Sequence, residues 1–376
     1  MRAKSLQAWA NTPAGQAANM EVVIHQTLEN THDLYHFGVH LYNFIQKRLP
    51  LTHHLYFHYL DRVPHFKTPR MIYGRKRFIK ILQQHRPDIV LSTHPHLNHG
   101  FFQLAKEATE DRPPLTVTYC GELHGTYGFS HRWVNPNADH FIGAVFDTCK
   151  AANQLHMPKE RNHNLGFLLR PHFYETPLTQ EQRHNYLRNE LHLDPETYTI
   201  ILGTGANAAN NHLPLLNAIG ATPIKNIQIV VLCAHNSQLF QSVEDFRHSQ
   251  NKNKIVSLSY LENPSLLLQS ADVLLCRPGT GLTSEAILSG IPILHNTLGG
   301  TMPQEAITLA YCKQHQLSQQ ISKPSQLPEI IQNHLQHPEQ LQQTRQNLQK
   351  VRPTHTPADI IQHLKDWHLQ HTQPQC

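Results

Sequence analysis

The chain has 376 residues, of which 39% are hydrophobic, 16% charged and 8% aromatic, and a formal net charge of +5 with histidine neutral. That length suits two domains with real cores, and the composition excludes wholesale disorder. No apolar run reaches the roughly 20 residues that cross a bilayer, and the opening MRAKSLQAWANTPAGQ lacks the apolar core of a signal peptide.

Six scattered cysteines with no CxxC pair fit a reducing compartment rather than a disulfide framework or a zinc ribbon. The 31 histidines invite a metal-site or pH-switch reading. Their spread through every region, alongside abundant glutamine, favours compositional drift.

In chain order, RAKSLQAWA reads as a helix and MEVVIHQTL (20–28) as a strand. Residues 35–80 then interleave Tyr42, Phe44, Tyr56, Phe57, Tyr59, Phe66 and Phe78 with bases. Nine Lys and Arg between 47 and 80 face Asp61 alone, a local excess of eight. Rings with bases suit an anionic bilayer surface; they also suit nucleic acid, but no nucleic-acid module is recognisable. A core helix with a solvated basic face is the plainer alternative.

Strands follow at PDIVLST (87–93), PLTVTYC (114–120) and DHFIGAV (139–145). A Pro-rich linker at 168–182 puts a domain boundary near residue 175. Further strands are TYTIILGTG (197–205), IQIVVLCA (227–234), NKIVSLS (253–259), ADVLLCR (271–277) and IPILHN (291–296). Alternation with helices such as NHLPLLNAIG and LTSEAILSG predicts parallel α/β layers. From about residue 323 the chain is Gln- and His-rich but keeps helical spacing in LPEIIQNHLQ and ADIIQHLKDWHLQH. The expected domains are 1–174, 175–345 and a helical tail, 346–376.

Four strand ends carry candidate chemistry. After PDIVLS come His94, His96 and His99, spaced for a metal but with no carboxylate beside them; substrate hydrogen bonding or a plain loop also fits. After PLTVTYC, Glu122 is the one acid between Asp111 and Asp139, with His124 two residues on. It reads either as a general base or as a turn cap. LGTGANA places Gly203, Gly205 and Ala208 as a dinucleotide fingerprint, but the next strand ends at His235–Asn236 without the acid that fingerprint needs. A glycine loop lining a cleft is the better reading. The strongest segment is LLCRPGTGLTSEAILSG. Here a helix starts after Gly279, Thr280 and Gly281, and helix starts with glycine stabilise phosphate. Thr280 and Thr283 add hydroxyls, and Glu285 stands where it can hold a ribose. An ordinary turn capped by Thr283 or Ser284 is the alternative, against which weighs the second glycine pair, Gly299–Gly300, followed by Gln304 and Glu305.

RPGTGLTSEAILSGIPILHNTLGGTMPQE resembles the donor-site segment of GT-B glycosyltransferases related to monogalactosyldiacylglycerol synthases and processive diacylglycerol glucosyltransferases. It is more distantly similar to the peptidoglycan N-acetylglucosaminyltransferase. PDIVLSTHPHLNHG, PLTVTYCGEL, GFLLRPHFYE and IVVLCAHN match in the family's order over roughly residues 85–310. The resemblance implies an α/β, GT-B chain of two Rossmann-like domains with a cleft between them. Gly279, Thr280, Gly281 and Thr283 would meet a diphosphate, Glu285 the ribose, and Gln304 and Glu305 the sugar. Gly203, Gly205 and Asn236 would face the donor. Glu122 stands about where the family has an aspartate after its threonine, and His94 and His124 are the other proton acceptors.

The implied activity moves a hexose or N-acetylhexosamine from a UDP-sugar to a lipid acceptor, on the inner face of the cell membrane. It needs no obligatory cofactor or metal, and no nucleic acid. The alternatives are a UDP-sugar epimerase or hydrolase of the same fold and a truncated, non-catalytic homologue. The last arises because RAKSLQAWA resembles the helix that follows the family's opening strand, glycine loop and histidine. Those features are then expected upstream of a misassigned start, or lost from a fragment.

Overall fold

Short apolar runs separated by helices cannot pair as hairpins; they pair in parallel, each strand returned by a crossover. The computed structural model describes residues 1–48, 61, 67–203, 211–249 and 253–373, and holds two such sheets in two units. Helices of eight or more residues are numbered below.

The first unit comprises Met1–Pro171, Met302–Ile307 and Pro353–Cys376. Its early helices are α1 (Arg2–Ala10), α2 (Asp33–Arg48) and α3 (Arg75–His85). Then come β1 (Ile89–Ser92), α4 (Gly100–Ala108), β2 (Leu115–Cys120), β3 (His140–Gly143), α5 (Phe146–Gln154) and β4 (Asn162–Asn164). The sheet runs β1-β2-β3-β4, all parallel. All six residues of β2 are buried, as a strand covered on both faces requires. Asp139 locks its register. The carboxylate accepts from Thr116 N and Oγ1 at 2.8 and 2.6 Å and pairs with Lys106 at 2.9 Å. Burial would raise that carboxyl, but the Thr116 bonds and Lys106 hold it below its ordinary value.

The expected strand at 20–28 is absent. Residues 20–26 run irregularly and a short helix begins at Thr27. Val23 stays 59% exposed, and the Val22 carbonyl accepts from the Gln7 side chain rather than from a neighbouring strand. Alternating apolar residues make a strand only where a partner strand accepts them. The linker expectation at 168–182 also shifts. Leu168 and Leu169 are core, gripped by Tyr119 Oη on Leu168 N and by Trp9 Nε1 on Leu169 O, both at 2.7 Å. The first unit accordingly reaches Pro171.

The second unit comprises His172–Thr301 and Thr308–Arg352. In order it holds β5 (Tyr198–Leu202), α6 (His212–Ala221), β6 (Ile227–Ala234), α7 (Ser237–Ser249), β7 (Lys254–Ser259) and β8 (Val273–Cys276). There follow α8 (Thr280–Ser289), β9 (Ile293–Asn296), α9 (Pro303–Gln314, of which the part up to Ile307 belongs to the first unit), β10 (Ser318–Ile321), α10 (Gln326–Gln336) and α11 (Pro338–Lys350). The parallel sheet runs β10-β9-β8-β5-β6-β7, so strand order reverses between β5 and β8. Every residue of β8 is 0% exposed, and a fully buried aliphatic side chain contributes roughly 1.5–3 kcal/mol. Gly290 ends α8 at φ 71°, a left-handed cap that favours glycine.

The last helix, α12 (Pro357–Thr372), belongs to the first unit, so the expected separate tail is no body of its own. It buries Ile360, Ile361, Leu364 and Trp367. The Trp367 ring stacks on His140 at 3.9 Å and lies 4.6 Å from His163, and His140 Nδ1 is 3.2 Å from His163 Nε2.

Burial lowers the pKa of His140, His163, His212 and His334 to about 4, and of His295 to about 3, from an ordinary 6.5. The unfolded chain therefore binds more protons between those values, so their stabilisation is present above pH 6.5 and is lost as pH falls toward 4. The urea midpoint should be flat from pH 8 to 7 and drop steadily from 6.5 to 4.5. A His140→Asn/His163→Asn variant should show a shallower drop, and a midpoint independent of pH across that window would contradict the reading.

Candidate functional site

Open α/β sheets hold ligands beyond the carboxyl ends of their strands, where strand order reverses. Here that point lies between β5 and β8. Gly203 N donates to Leu275 O at 2.8 Å, tying the two strand ends together just before their loops diverge. Gly205 and Ala208 lie outside the described residues. From β8 the chain passes Arg277 and Pro278 to Gly279, which precedes α8 at φ −86° and ψ 137°.

The first amides of a helix have no acceptor within it, and the cap residue of α8, Gly279, has no side chain to offer them. The expected capping by Thr283 or Ser284 is not found. Ser284 Oγ turns back to Thr280 O at 2.6 Å, and Thr283 is fully buried with Oγ1 3.3 Å from His295 Nε2. Thr283 thus points into the core, whereas Gly279, Thr280 and Gly281 line the half-buried helix start. Glu285 is nearly buried one turn further on.

Arg277 was not singled out by its sequence position. Its guanidinium donates to Leu298 O at 3.0 Å and to Gly300 O at 2.8 Å, clamping the loop after β9 against the end of β8. Gly299 and Gly300 sit at φ 76° and 93°, a left-handed run that bends this loop. Beyond it, Glu305 is buried and its Oε2 accepts from Met302 N at 2.9 Å, while Gln304 is half-buried. Asn236 Oδ1 accepts from Leu239 N at 2.9 Å, capping the start of α7. The carbonyl of Asn236 is therefore spent on its own helix.

In the first unit, Glu122 and His124 share the loop after β2, and His94, His96 and His99 share the loop after β1. The two loops meet through Asn98 Nδ2, which donates to Arg132 O and Trp133 O at 3.2 and 3.1 Å. The Glu122 carbonyl accepts from the Thr148 hydroxyl of α5, and its Oε2 is buried with no hydrogen bond. Burial pushes this carboxyl up to about 7, with Arg2 pulling the other way. A carboxyl so poised is half ionised near neutrality, as a general base requires.

The histidines after β1 behave differently. His94 Nδ1 accepts from His96 N at 3.3 Å, so its remaining proton sits on Nε2, and the ring presents a donor. Burial lowers His99 to about 4 and His96 well below its ordinary value; His94 is lowered to about 4 as well, although the residue as a whole is exposed. These are neutral hydrogen-bonding groups. Among the described residues, no three His, Cys, Asp or Glu gather into a metal-holding group.

A doubly wound sheet with a glycine-headed helix start at its switch point, together with a second parallel α/β unit, defines the α/β GT-B class of glycosyltransferase folds. Residues 2–166 match the monogalactosyldiacylglycerol (MGDG) synthase family, and residues 199–364 match the glycosyltransferase family 28 C-terminal domain. Each half of the chain thus matches a glycosyltransferase family model, and the fold is of the α/β GT-B kind. It is 25% identical over 236 residues to a processive diacylglycerol beta-glucosyltransferase of Bacillus cytotoxicus, covering 62% of this chain and 57% of that one. The same-named protein of Bacillus pumilus is 22% identical over 77% of this chain and 72% of its own. A probable monogalactosyldiacylglycerol synthase 3 of rice is 23% identical over 57% and 42%. This chain thus spans little more than half the length of the first of these relatives. Among solved structures, MurG of Acinetobacter baumannii superposes with a TM-score of 0.56 at 13% identity, covering 79% of this chain and 77% of that one. The MnaA–UDP co-structure of S. aureus gives 0.53 at 11% identity, covering 79% and 80%.

A Cβ added to Gly279 would meet nothing within 4 Å, and its φ suits any residue. Gly279→Ala should therefore leave the unfolding free energy within about 0.5 kcal/mol of wild type. If a diphosphate approaches this backbone, UDP affinity measured by calorimetry should fall at least tenfold, about 1.4 kcal/mol. Unchanged affinity would remove Gly279 from the site.

Proposed function

We propose that this chain transfers a hexose or N-acetylhexosamine from a UDP-sugar to a lipid acceptor of the diacylglycerol type, at a membrane surface. The observation that carries this reading is the glycine-headed start of α8 at the switch point, within the stretch that matches a glycosyltransferase family 28 C-terminal domain. As the bond from sugar to diphosphate breaks, negative charge grows on the leaving UDP. Amides and the helix dipole already aimed there stabilise that charge without reorganising. Gly279, Thr280 and Gly281 take the diphosphate, Glu285 the ribose hydroxyls, and Gln304 and Glu305 the sugar. Thr283 supports the helix from within.

On the other reactant, the acceptor hydroxyl attacks the anomeric carbon and passes its proton to the Glu122 carboxylate. The base form exists above a pKa of about 7, so kcat/KM should rise with pH through that value. The lipid acceptor and the UDP donor are taken from the names of the relatives and of the solved neighbour.

The membrane half of the proposal draws on the first unit. Helix α2 exposes Leu34, Phe37 and Leu41, three and then four residues apart on one face, and Met71 and Tyr73 are also exposed. Lys67, Arg70, Arg75, Lys76, Arg77 and Lys80 are exposed along the chain beside them. Apolar side chains with bases nearby in the chain suit an anionic lipid interface, which supports a peripheral position on the inner face of the cell membrane. The side chains of residues 42–60 and 62–66, which carry most of the aromatic residues of this stretch, lie outside the described residues. Among the described residues no helix is long and apolar enough to cross a membrane.

Glu122→Gln should cut kcat by about 10²–10⁴ and abolish the limb near pH 7, with UDP affinity unchanged. Because the raised carboxyl costs stability as pH climbs through 7, the same variant should match or exceed wild type in unfolding midpoint at pH 8. A retained limb would move the base elsewhere. Glu285→Ala should weaken UDP binding, and equal affinity would sink the ribose assignment. The protein should sediment with anionic vesicles at low salt, less so for Leu34→Ser/Phe37→Ser; failure of wild type to sediment would favour a soluble epimerase or hydrolase.

A further inference from the structure

A histidine inside an otherwise apolar strand must have both ring nitrogens satisfied or lose their hydration without return. His295 of β9 is 0% exposed. Its Nε2 lies 3.3 Å from Thr283 Oγ1 on α8, and its Nδ1 lies 3.0 Å from Ser318 Oγ on β10. Ser318 also hydrogen-bonds the Cys312 thiol of α9, a thiol that burial pushes up to about 12. One imidazole thus links α8, β10 and the second-unit part of α9 through hydroxyls that rotate to suit its tautomer.

The arrangement at Thr283 is not the ordinary one. A helix threonine usually turns its hydroxyl back to the carbonyl four residues earlier. For Thr283 that is the Gly279 carbonyl, which takes the Thr283 amide at 3.1 Å. The Thr283 hydroxyl instead reaches across to β9. An apolar pair of similar volume would fill this space, but it would let α8 slide or turn, because apolar contacts lack direction. A matched polar set in the core specifies one position. At the end of β8, Arg277 clamps the loop that continues β9. The first turn of the helix is thus held by His295 through Thr283, and the neighbouring loop by Arg277.

We infer that His295 is a positioning residue for the nucleotide-sugar site: through Thr283 it sets where the first turn of α8 stands relative to β9 and the loop that follows. The inference rests on the donor-site reading above. Positioning matters because a misplacement of about 1 Å costs on the order of a hundredfold in rate.

The two ring nitrogens can be tested separately. A glutamine amide reaches about as far as Nε2 and keeps the Thr283 contact; an asparagine amide reaches about as far as Nδ1 and keeps only Ser318. UDP titrations of the full chain should give His295→Gln an affinity within about threefold of wild type, and His295→Asn and His295→Leu losses of about tenfold. Donor KM should rise in step while acceptor KM holds. Thr283→Val should lose about tenfold, and adding His295→Asn should lose nothing further, since both remove one contact. Equal affinity in all variants overturns the inference. So do equal losses in the Gln and Asn variants tracking a common fall in unfolding midpoint, the mark of a purely structural role. Amide exchange of Gly281–Ser284 without ligand gives an independent reading: it should be faster in His295→Asn than in His295→Gln, and equal rates count against positioning. A wild type that binds no UDP overturns the functional reading and the donor part of the inference together.

Discussion

The amides at the start of a helix have no acceptor in their own helix, and something must answer them: a side chain, water or a ligand. Most helices use a Ser, Thr, Asp or Asn at the cap. Helix α8 places Gly279 there, and its two candidate cappers look elsewhere, Ser284 to its own helix and Thr283 to His295. The remaining architecture of the second unit bears on this glycine-headed end. Strand order reverses beside it, Gly203 ties the flanking strands, and Arg277 and His295 hold the neighbouring loop and the helix itself.

Much of this was legible in the residues. Continuous apolar runs bounded by Gly and Pro located eight of the strands, because a strand buried on both faces must be apolar throughout. RPGTG located the helix start, since proline and glycine mark the turn from a strand into a helix. What failed was local sequence without its partner. MEVVIHQTL alternates well but has no strand beside it. Asn162–Asn164 and Ser318–Ile321 are polar, short edge strands whose pairing comes from the neighbouring strand rather than from their own composition.

The site was legible in unequal parts. Thr283 is where the pattern put it but faces inward, because a helix start exposes only part of its circumference and sequence spacing does not say which part. Asn236 is at its strand end, yet its carbonyl serves α7. Arg277 and His295 were overlooked although signals existed: a base directly before a glycine turn, and one imidazole inside IPILHN. The histidines as a whole resolve the same way. Several are structural, held neutral by burial at places as unlike as the α12 contact, α6 and β9.

Helix α12 has a consequence for how the chain is made. It follows the whole second unit in sequence, yet its Ile360, Ile361, Leu364 and Trp367 complete the first unit's core. During synthesis the first unit must therefore wait, with an apolar face uncovered, while the ribosome makes everything in between. Intermediates of that kind aggregate readily, and contacts so distant in sequence form late. The His140–Trp367 stack is then a closing step of folding.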